Sequence, residues 1–448
     1  MRRSNYRTFF PYIALVGSLS FYVMGSTANA ELDNTRYTTP LPELGSVASP
    51  SEQFRIAERY IKGAGVESNP ELGMQWLRLA AAQQYPKALY ELAFHYEHGI
   101  DAKQDTSKAV SLYKQAANLG YMDAQFNLGF LYIKNGDVKE ASVWLEKAAL
   151  QNDRDAQYNL SLIYADNMLG GSTDNQKAIE WLTKAAENGH RDAQFNLGTR
   201  YLQGTIVEKN MEKAAYWFTT AANQNDAAAQ FNLGLMYEEG DGVEKDLAKA
   251  IEWYRKAAEQ NEAGAQYNLG IKYVLGEGIE QNTDKGIEWV SKAAENKNPA
   301  AQYMMAYLFN QGSDLPHDPS QALYWYRASA EQGYVEAQYN LAMMFAKGEG
   351  VEQDYKESLF WVRKAAQANH INAQYSLGTF LAKGLGTPKN LPEAAFWLSL
   401  AAAKGEQHAI ENRDVVMEML SSAERDDVKK RIEVELAKNP TDRPMGSP

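Results

Sequence analysis

Ala229 to Gly264 reads A-Q-F-N-L-G-L-M-Y-E-E-G-D-G-V-E-K-D-L-A-K-A-I-E-W-Y-R-K-A-A-E-Q-N-E-A-G, and Ala265 then opens the same phrase again as A-Q-Y-N-L-G. The opening alanine recurs as Ala88, Ala124, Ala156, Ala193, Ala229, Ala265, Ala301, Ala337 and Ala373, with steps of 36, 32 and 37 residues and then 36 throughout. All nine tryptophans share one slot of this unit: Trp76, Trp144, Trp181, Trp217, Trp253, Trp289, Trp325, Trp361 and Trp397. Leu112 fills the slot between the first two. A fixed period in the range of about 20–50 residues marks a solenoid in which each unit packs on its neighbours. A degenerate first copy begins near Glu52, where Ile56-Ala57-Glu58-Arg59-Tyr60 replaces the L-G-x-x-Y core. The array therefore runs from residue 52 to 408 in about ten repeats.

Each unit reads as two helices. Ala229, Leu233 and Tyr237 follow an i, i+4, i+8 stripe, and Gly234 lets a neighbouring helix approach. Gly240 stands where a left-handed C-cap ends the first helix. Asp246 is the expected N-cap of the second, with Asp105, Asn210, Asp354 and Asn390 as its equivalents. That second helix is expected to turn Ala250, Trp253, Ala257 and Ala258 inward. Its outer face pairs Glu180 with Lys184, Glu252 with Lys256 and Glu288 with Lys292 at the i, i+4 spacing of a solvated helix.

The pattern A-x-x-x-L-G-x-x-Y, then G-x-G-V, then K-A-x-x-W-x-x-K-A-A, resembles the Sel-one-like repeats, a branch of the tetratricopeptide superfamily. The resemblance covers about four-fifths of the chain. The third unit, Ala124 to Asp155, is shorter, and its Asn135-Gly136-Asp137 turn looks like that of a plain tetratricopeptide repeat. The resemblance implies an all-α fold: a right-handed α-solenoid whose first helices line the concave wall. It also implies that the array holds partner proteins together and performs no chemistry.

Residues outside the array carry separate signals. Arg2, Arg3 and Arg7 precede an apolar stretch from Phe9 to Met24, and Ala28-Asn29-Ala30 closes the segment. Residues 1–30 thus have the layout of a secretory signal cleaved after Ala30, for a periplasmic or secreted protein. An uncleaved anchor is the alternative, against which stand the short apolar run and Pro11. The chain has no cysteine, so there is no thiol for lipid attachment or disulfide bonding. Residues 31–51, with Pro40, Pro42 and Pro50, read as a flexible linker, and the proline-bearing residues 439–448 as a disordered tail. Between them, residues 409–438 are expected to cap the solenoid. Ser421-Ser422-Ala423-Glu424 offers a capping box there, ahead of a Val428, Ile432, Leu436 stripe. The net charge of −12 at pH 7 makes nucleic acid an unfavourable partner, because that binding neutralises phosphates with Lys and Arg.

The first helices hold the candidate interaction residues. Two places after each repeat alanine stands an aromatic: Tyr90, Phe126, Tyr158, Phe195, Phe231, Tyr267, Tyr303, Tyr339 and Tyr375, with Phe54 in the first copy. Next come Asn127, Asn159, Asn196, Asn232, Asn268 and Asn340, while Glu91, Met304 and Ser376 break the row. Amides beside rings can hold an extended peptide, pairing its backbone while the rings cover its side chains. The candidate groove is Tyr158, Asn159, Phe195, Asn196, Phe231, Asn232, Tyr267, Asn268, Tyr339 and Asn340. The same rings could stack on sugars. The competing reading is that both rows, with Gln125, Gln157 and their kin, close the joints between helices. Along such a groove, the variable slot (Phe130, Leu162, Thr199, Leu235, Ile271, Tyr307) would set specificity.

Signals for chemistry are weak. Glu91, His95 and His98 share a helix face but lack a zinc-site spacing, and Glu97 and Lys134 can pair with it. His190, His317, His370 and His408 are dispersed, and most are expected to be solvated. The strings Gly240-Asp241-Gly242, Gly276-Glu277-Gly278 and Gly348-Glu349-Gly350 follow helices and carry acids that would repel phosphate. Ser111-Leu112-Tyr113-Lys114 matches S-x-x-K without a K-T-G partner. No catalytic residue, metal or cofactor is expected. The sequence reads as an exported scaffold for a protein or peptide partner, with no membrane span once the signal is removed. A glycan-binding adaptor in envelope assembly is the alternative, and an envelope-polymer hydrolase a remote one.

Overall fold

The computed structural model describes residues 49–166, 168 and 173–438. The expected signal segment, most of the linker and the tail lie outside the described residues. Among those described, the elements are all helices. In chain order the pairs are α1 (Pro50–Lys62) with α2 (Pro70–Ala82), α3 (Pro86–His98) with α4 (Thr106–Asn118), α5 (Met122–Lys134) with α6 (Val138–Leu150), and α7 (Arg154–Ala165) with α8 (Asn175–Glu187). These belong to one compact unit, which ends at Asn188. A second unit, from Gly189, holds α9 (Arg191–Gln203) with α10 (Met211–Asn223), α11 (Ala227–Glu239) with α12 (Leu247–Glu259), and α13 (Ala263–Leu275) with α14 (Thr283–Glu295). It continues with α15 (Pro299–Gln311) and α16 (Pro319–Glu331), α17 (Val335–Lys347) and α18 (Tyr355–Gln367), and α19 (Ile371–Lys383) and α20 (Leu391–Ala403), then ends on α21 (Gln407–Glu418) and α22 (Ser422–Lys438). The fold is an all-α solenoid of ten two-helix repeats with terminal helices.

Local chemistry sets the helix ends. Asp105, Asn210, Asp246, Asp354 and Asn390 each accept a backbone N–H from the first turn of the second helix. Gly240 adopts φ 84° and closes α11 onto the Met236 carbonyl. Gly242, also at positive φ, lies so close to the start of α10 that a Cβ would sit 2.2 Å from the Met211 carbonyl oxygen. The G-x-G strings therefore end a helix and then press the loop against the preceding repeat. Asn135-Gly136-Asp137 makes the short link from α5 to α6, with Asp137 capping α6. The expected linker extends three residues too far: Ser49 caps α1 and Pro50 opens it, since proline suits a first helical turn.

The tryptophan slot meets the expectation only in part. Ala250, Ala257 and Ala258 are buried as read, and so are Trp76, Trp144, Trp181, Trp361 and Trp397, but Trp253 is only half-buried, as are Trp217, Trp289 and Trp325. The core position is the next residue: Leu77, Tyr113, Leu145, Leu182, Phe218, Tyr254, Val290, Tyr326, Val362 and Leu398 are all buried. At about 100° per residue, Tyr254 lies between Ala250 and Ala258 on the inner face, whereas Trp253 falls at its margin. There the indole covers the edge of the core and offers its ring to lysine: Lys256 lies 4.0 Å from the Trp253 ring centroid and Lys147 3.8 Å from that of Trp144. Glu180 and Glu288 pair with Lys184 and Lys292 as expected, and both lysines also lie over tryptophan rings.

Candidate functional site

The residue after each repeat alanine builds a buried amide ladder. Gln125, Gln157, Gln230, Gln266, Gln302, Gln338 and Gln374 each donate Nε2 to a carbonyl eight residues back, in the last turn of the preceding helix, at 3.0–3.3 Å. In five of them Oε1 accepts from an amide thirty or so residues ahead: Gln151 to Gln125 at 2.8 Å, Asn188 to Gln157 at 2.9 Å, Gln260 to Gln230 at 2.7 Å, Asn296 to Gln266 at 2.9 Å and Gln332 to Gln302 at 2.8 Å. Burial of an amide demands partners, and the stacked helix ends supply them. This row is structural, in keeping with the joint-closing reading of the glutamines.

The rows proposed as a groove are half-buried throughout. In the first unit, Tyr158 and Asn159 lie on α7, and the Asn159 amide donates to the Asp155 carbonyl at 2.7 Å. In the second unit, Phe195 and Asn196 lie on α9, Phe231 and Asn232 on α11, Tyr267 and Asn268 on α13, and Tyr339 and Asn340 on α17. The rings meet the core aromatic of their own repeat: Phe195 lies 5.7 Å from Phe218 and Phe231 6.0 Å from Tyr254. Tyr339 stacks on His370 at 4.6 Å. Asn232 donates to the Ala228 carbonyl at 2.8 Å, Asn340 to the Tyr326 hydroxyl at 3.2 Å, and Asn268 bonds the Tyr254 hydroxyl. Each residue thus has one side engaged in the joint and part of its surface open. The variable slot is more open still at Phe130 and Tyr307, both exposed.

Charged groups near this wall also serve the repeat. Tyr254 donates its hydroxyl to Glu238 at 2.6 Å, and Lys272 bridges Glu238 at 2.6 Å and Glu277 at 2.8 Å. Burial, reinforced by Glu238, pushes the Tyr254 hydroxyl far above the ordinary phenol value. Burial opposes the charge of Lys272, but the two carboxylates outweigh it and raise the ammonium. In the first unit Tyr113 donates to Glu97 at 2.8 Å, His95 Nδ1 lies 2.8 Å from the Ile100 carbonyl and His98 Nδ1 3.1 Å from the Phe94 carbonyl. Burial, with Glu58 nearby, raises the Glu91 carboxyl. No metal-holding cluster occurs among the described residues. Ser111 and Lys114 are both exposed on α4.

Two histidines depart from the solvated reading. His190 and His370 are side-chain N-caps: each Nδ1 accepts the backbone N–H three residues on, from Ala193 and Ala373, at 3.1 Å. They stand where Asp153, Asp226 and Asn298 cap α7, α11 and α15. Burial lowers His370 below the usual imidazole value. At the C-terminal end Ser421 and Glu424 form a reciprocal capping box, Ser421 N–H donating to Glu424 at 2.8 Å and Glu424 N–H to Ser421 at 3.3 Å. Val428 is buried, with Ile432 and Leu436 packed against the same cluster.

With this geometry in place, the likenesses to known proteins can be set beside it. The Sel1 repeat matches ten times, over residues 53–85, 86–121, 123–153, 154–190, 191–226, 227–262, 263–298, 299–334, 335–370 and 371–406. A solved protective antigen of uropathogenic Escherichia coli strains, displaying an SLR fold, is 30% identical, with 88% of this chain and 93% of that chain covered at a TM-score of 0.61. A Sel1 repeat protein from Oxalobacter formigenes is 31% identical, covering 78% of this chain and 99% of that one at a TM-score of 0.58. Chitin synthase regulatory factor 4 of Schizosaccharomyces pombe is 35% identical over 107 residues, 24% of this chain. The matched segment spans only 17% of that relative's length.

Proposed function

Because the chain belongs to the Sel1 repeat family, whose members act as protein-interaction scaffolds, we propose that it is an exported scaffold that holds an extended polypeptide along its first-helix wall. The half-open aromatic and amide rows carry this reading. The aromatic recurs in every repeat and the asparagine in six of them, and beside them stands a slot whose residues vary from Phe130 to Thr199 to Tyr307. A repeated backbone-pairing row with a changing neighbour is what sequence-selective binding of an extended chain needs. No helix among the described residues is long and apolar enough to cross a membrane.

The test has two readouts. A photocrosslinker at Leu235 or Ile271 should capture a polypeptide from an envelope extract, and excess glycan should not displace it. Displacement by glycan would favour the adaptor reading, in which the half-exposed rings stack on sugars. Asn196, Asn232 and Asn268 changed together to Ala should then weaken binding by about ten- to a thousandfold, from about 0.5–1.5 kcal/mol per lost hydrogen bond. The amides also serve the joints, so melting is measured on the same variant. Affinity that falls only with the folded fraction would place recognition elsewhere.

A further inference from the structure

Four second helices carry an aromatic doublet, at Tyr216–Trp217, Tyr324–Trp325, Phe360–Trp361 and Phe396–Trp397, which only the last covers; a glutamate stands four residues before the tryptophan in the last two alone. In α20, Phe396 precedes Trp397 with ring centroids 5.2 Å apart at 77°, and Glu393 stands four residues before the tryptophan. Helix α22 crosses this spot. Arg431 donates Nη2 to Glu393 Oε2 at 2.6 Å, and its guanidinium lies 4.6 Å from the Phe396 centroid. Glu393 Oε1 in turn accepts from Trp397 Nε1 at 2.8 Å. With the arginine in place, Phe396 is only 8% exposed.

Helix α18 repeats the arrangement without the arginine. Its Glu357-Ser-Leu-Phe360-Trp361 matches Glu393-Ala-Ala-Phe396-Trp397, and the Phe360–Trp361 doublet has the same shape, 5.0 Å at 83°. Glu357 is exposed and Phe360 is 51% exposed. Trp361 is 5% exposed, and its buried Nε1 has no hydrogen-bond partner. A buried indole N–H without a partner is costly. Trp144 shows the same unpartnered nitrogen four residues after Glu140, but the residue before it is Val143, so no ring is offered there. In these three copies the carboxylate meets the indole only where an arginine holds it. Lys364 already lies 4.5 Å from the Phe360 centroid. A lysine offers a point charge, while a guanidinium can lie flat on a ring and bond a carboxylate at once.

We infer that the Glu357–Phe360–Trp361 face of α18 is a docking site for an amphipathic helix of a partner polypeptide, anchored by an arginine as α22 anchors on α20. The chain supplies the template for the occupant: Val428, Arg431, Ile432 and Leu436 of α22 set an arginine at the margin of an apolar stripe, and the site's own charge is the complementary carboxylate. Docking would turn Glu357 so that it accepts from both the arginine and Trp361 Nε1. The inference rests on the scaffold reading only in that the occupant is a polypeptide, and its site is apart from the first-helix wall.

A capped, fluorophore-labelled peptide of residues 422–438 is the probe, titrated against the full chain by anisotropy. Binding is expected, with affinity falling about tenfold or more for Glu357→Gln and for Phe360→Ala, and similarly when the peptide carries Arg431→Lys. Both protein substitutions lie at exposed positions and should leave the melting temperature unchanged. Absence of binding at high protein concentration would overturn the site, as would binding indifferent to both substitutions. Loss of binding with Glu393→Gln instead would overturn it too, since the peptide would then be displacing α22 from α20. Peptide binding that persists when the groove crosslink fails would sink the groove alone, and the reverse result would sink this site alone.

Discussion

Tyr254 and Trp253 are neighbours in sequence, and the structure assigns them unequal weights. Tyr254 is fully buried, its ring lies where a Cβ on Gly234 would come within 2.6 Å, and its hydroxyl donates to Glu238. Emptying a large aromatic slot in a core costs about 3–5 kcal/mol. A hydrogen bond to a charged group adds about 1.5–3 kcal/mol, which Tyr254→Phe isolates. Trp253 is half-buried, so Trp253→Ala should forfeit about half the core value, roughly 2 kcal/mol. Its contact with Lys256 adds about 0.5–1 kcal/mol at such an exposed site. Urea unfolding followed by far-UV circular dichroism should therefore rank Tyr254→Ala above Trp253→Ala by about 2 kcal/mol or more. Both changes fall in one repeat, so any loss of coupling along the array affects them alike. If Trp253→Ala proved as damaging as Tyr254→Ala, the assignment of the core slot to the residue after tryptophan would be refuted.

Other outcomes follow from the same joints. Gln374 Oε1 is buried without a partner, and position 404, where the ladder would place a donor, holds a lysine that reaches Asn369. Lys404→Gln should complete the ladder and raise stability by about 0.5–1.5 kcal/mol, and an unchanged or lower melting temperature would count against the ladder as a stabilising device. His370 caps α19 through its unprotonated Nδ1, and its value in the folded chain is lowered. The folded state thus binds fewer protons than the unfolded one. This cap's contribution is fully present above about pH 6.5 and disappears as pH falls through the lowered folded value. His370→Asn should keep a cap while removing that acid limb, compared by melting at pH 7.5 and below 6. For the expected export, terminal sequencing of the chain recovered outside the cytoplasm should begin at Glu31, whereas an intact Met1 on membranes would favour the anchor.

The period, the paired helices and most caps were legible because they depend on residue types with few substitutes. Glycine at positive φ and Asp or Asn at an N-cap signal their own geometry, as Gly240 and Asp246 do. The core slot was obscured by composition: tryptophan draws the eye, while its neighbour ranges over Leu, Tyr, Phe and Val. The signal was that this neighbour is apolar in every copy, and the helical angle then places it inward. Histidine caps were missed because histidine is a rare cap, though aligning His190 and His370 with Asp153 and Asp226 exposes their role. The amide ladder could not be foreseen in detail, since its partners lie eight residues behind and thirty ahead, on different helices. Whether the aromatic row faces outward or joins helices was undecidable from spacing, and the half-buried rings show why: each does part of both.

The ladder also bears on how such a gene can change. Each glutamine in it consults one carbonyl in the turn before and, in Gln125, Gln157, Gln230, Gln266 and Gln302, one amide in the unit after. Unequal recombination that drops or duplicates a whole 36-residue cassette therefore joins matching ends and leaves each remaining amide with its usual correspondents. A slip of a few codons inside a cassette would strand two buried groups at once. Lineages carrying this architecture should differ by entire units far more readily than by fragments of one, so the array can lengthen or shorten without a new joint having to evolve.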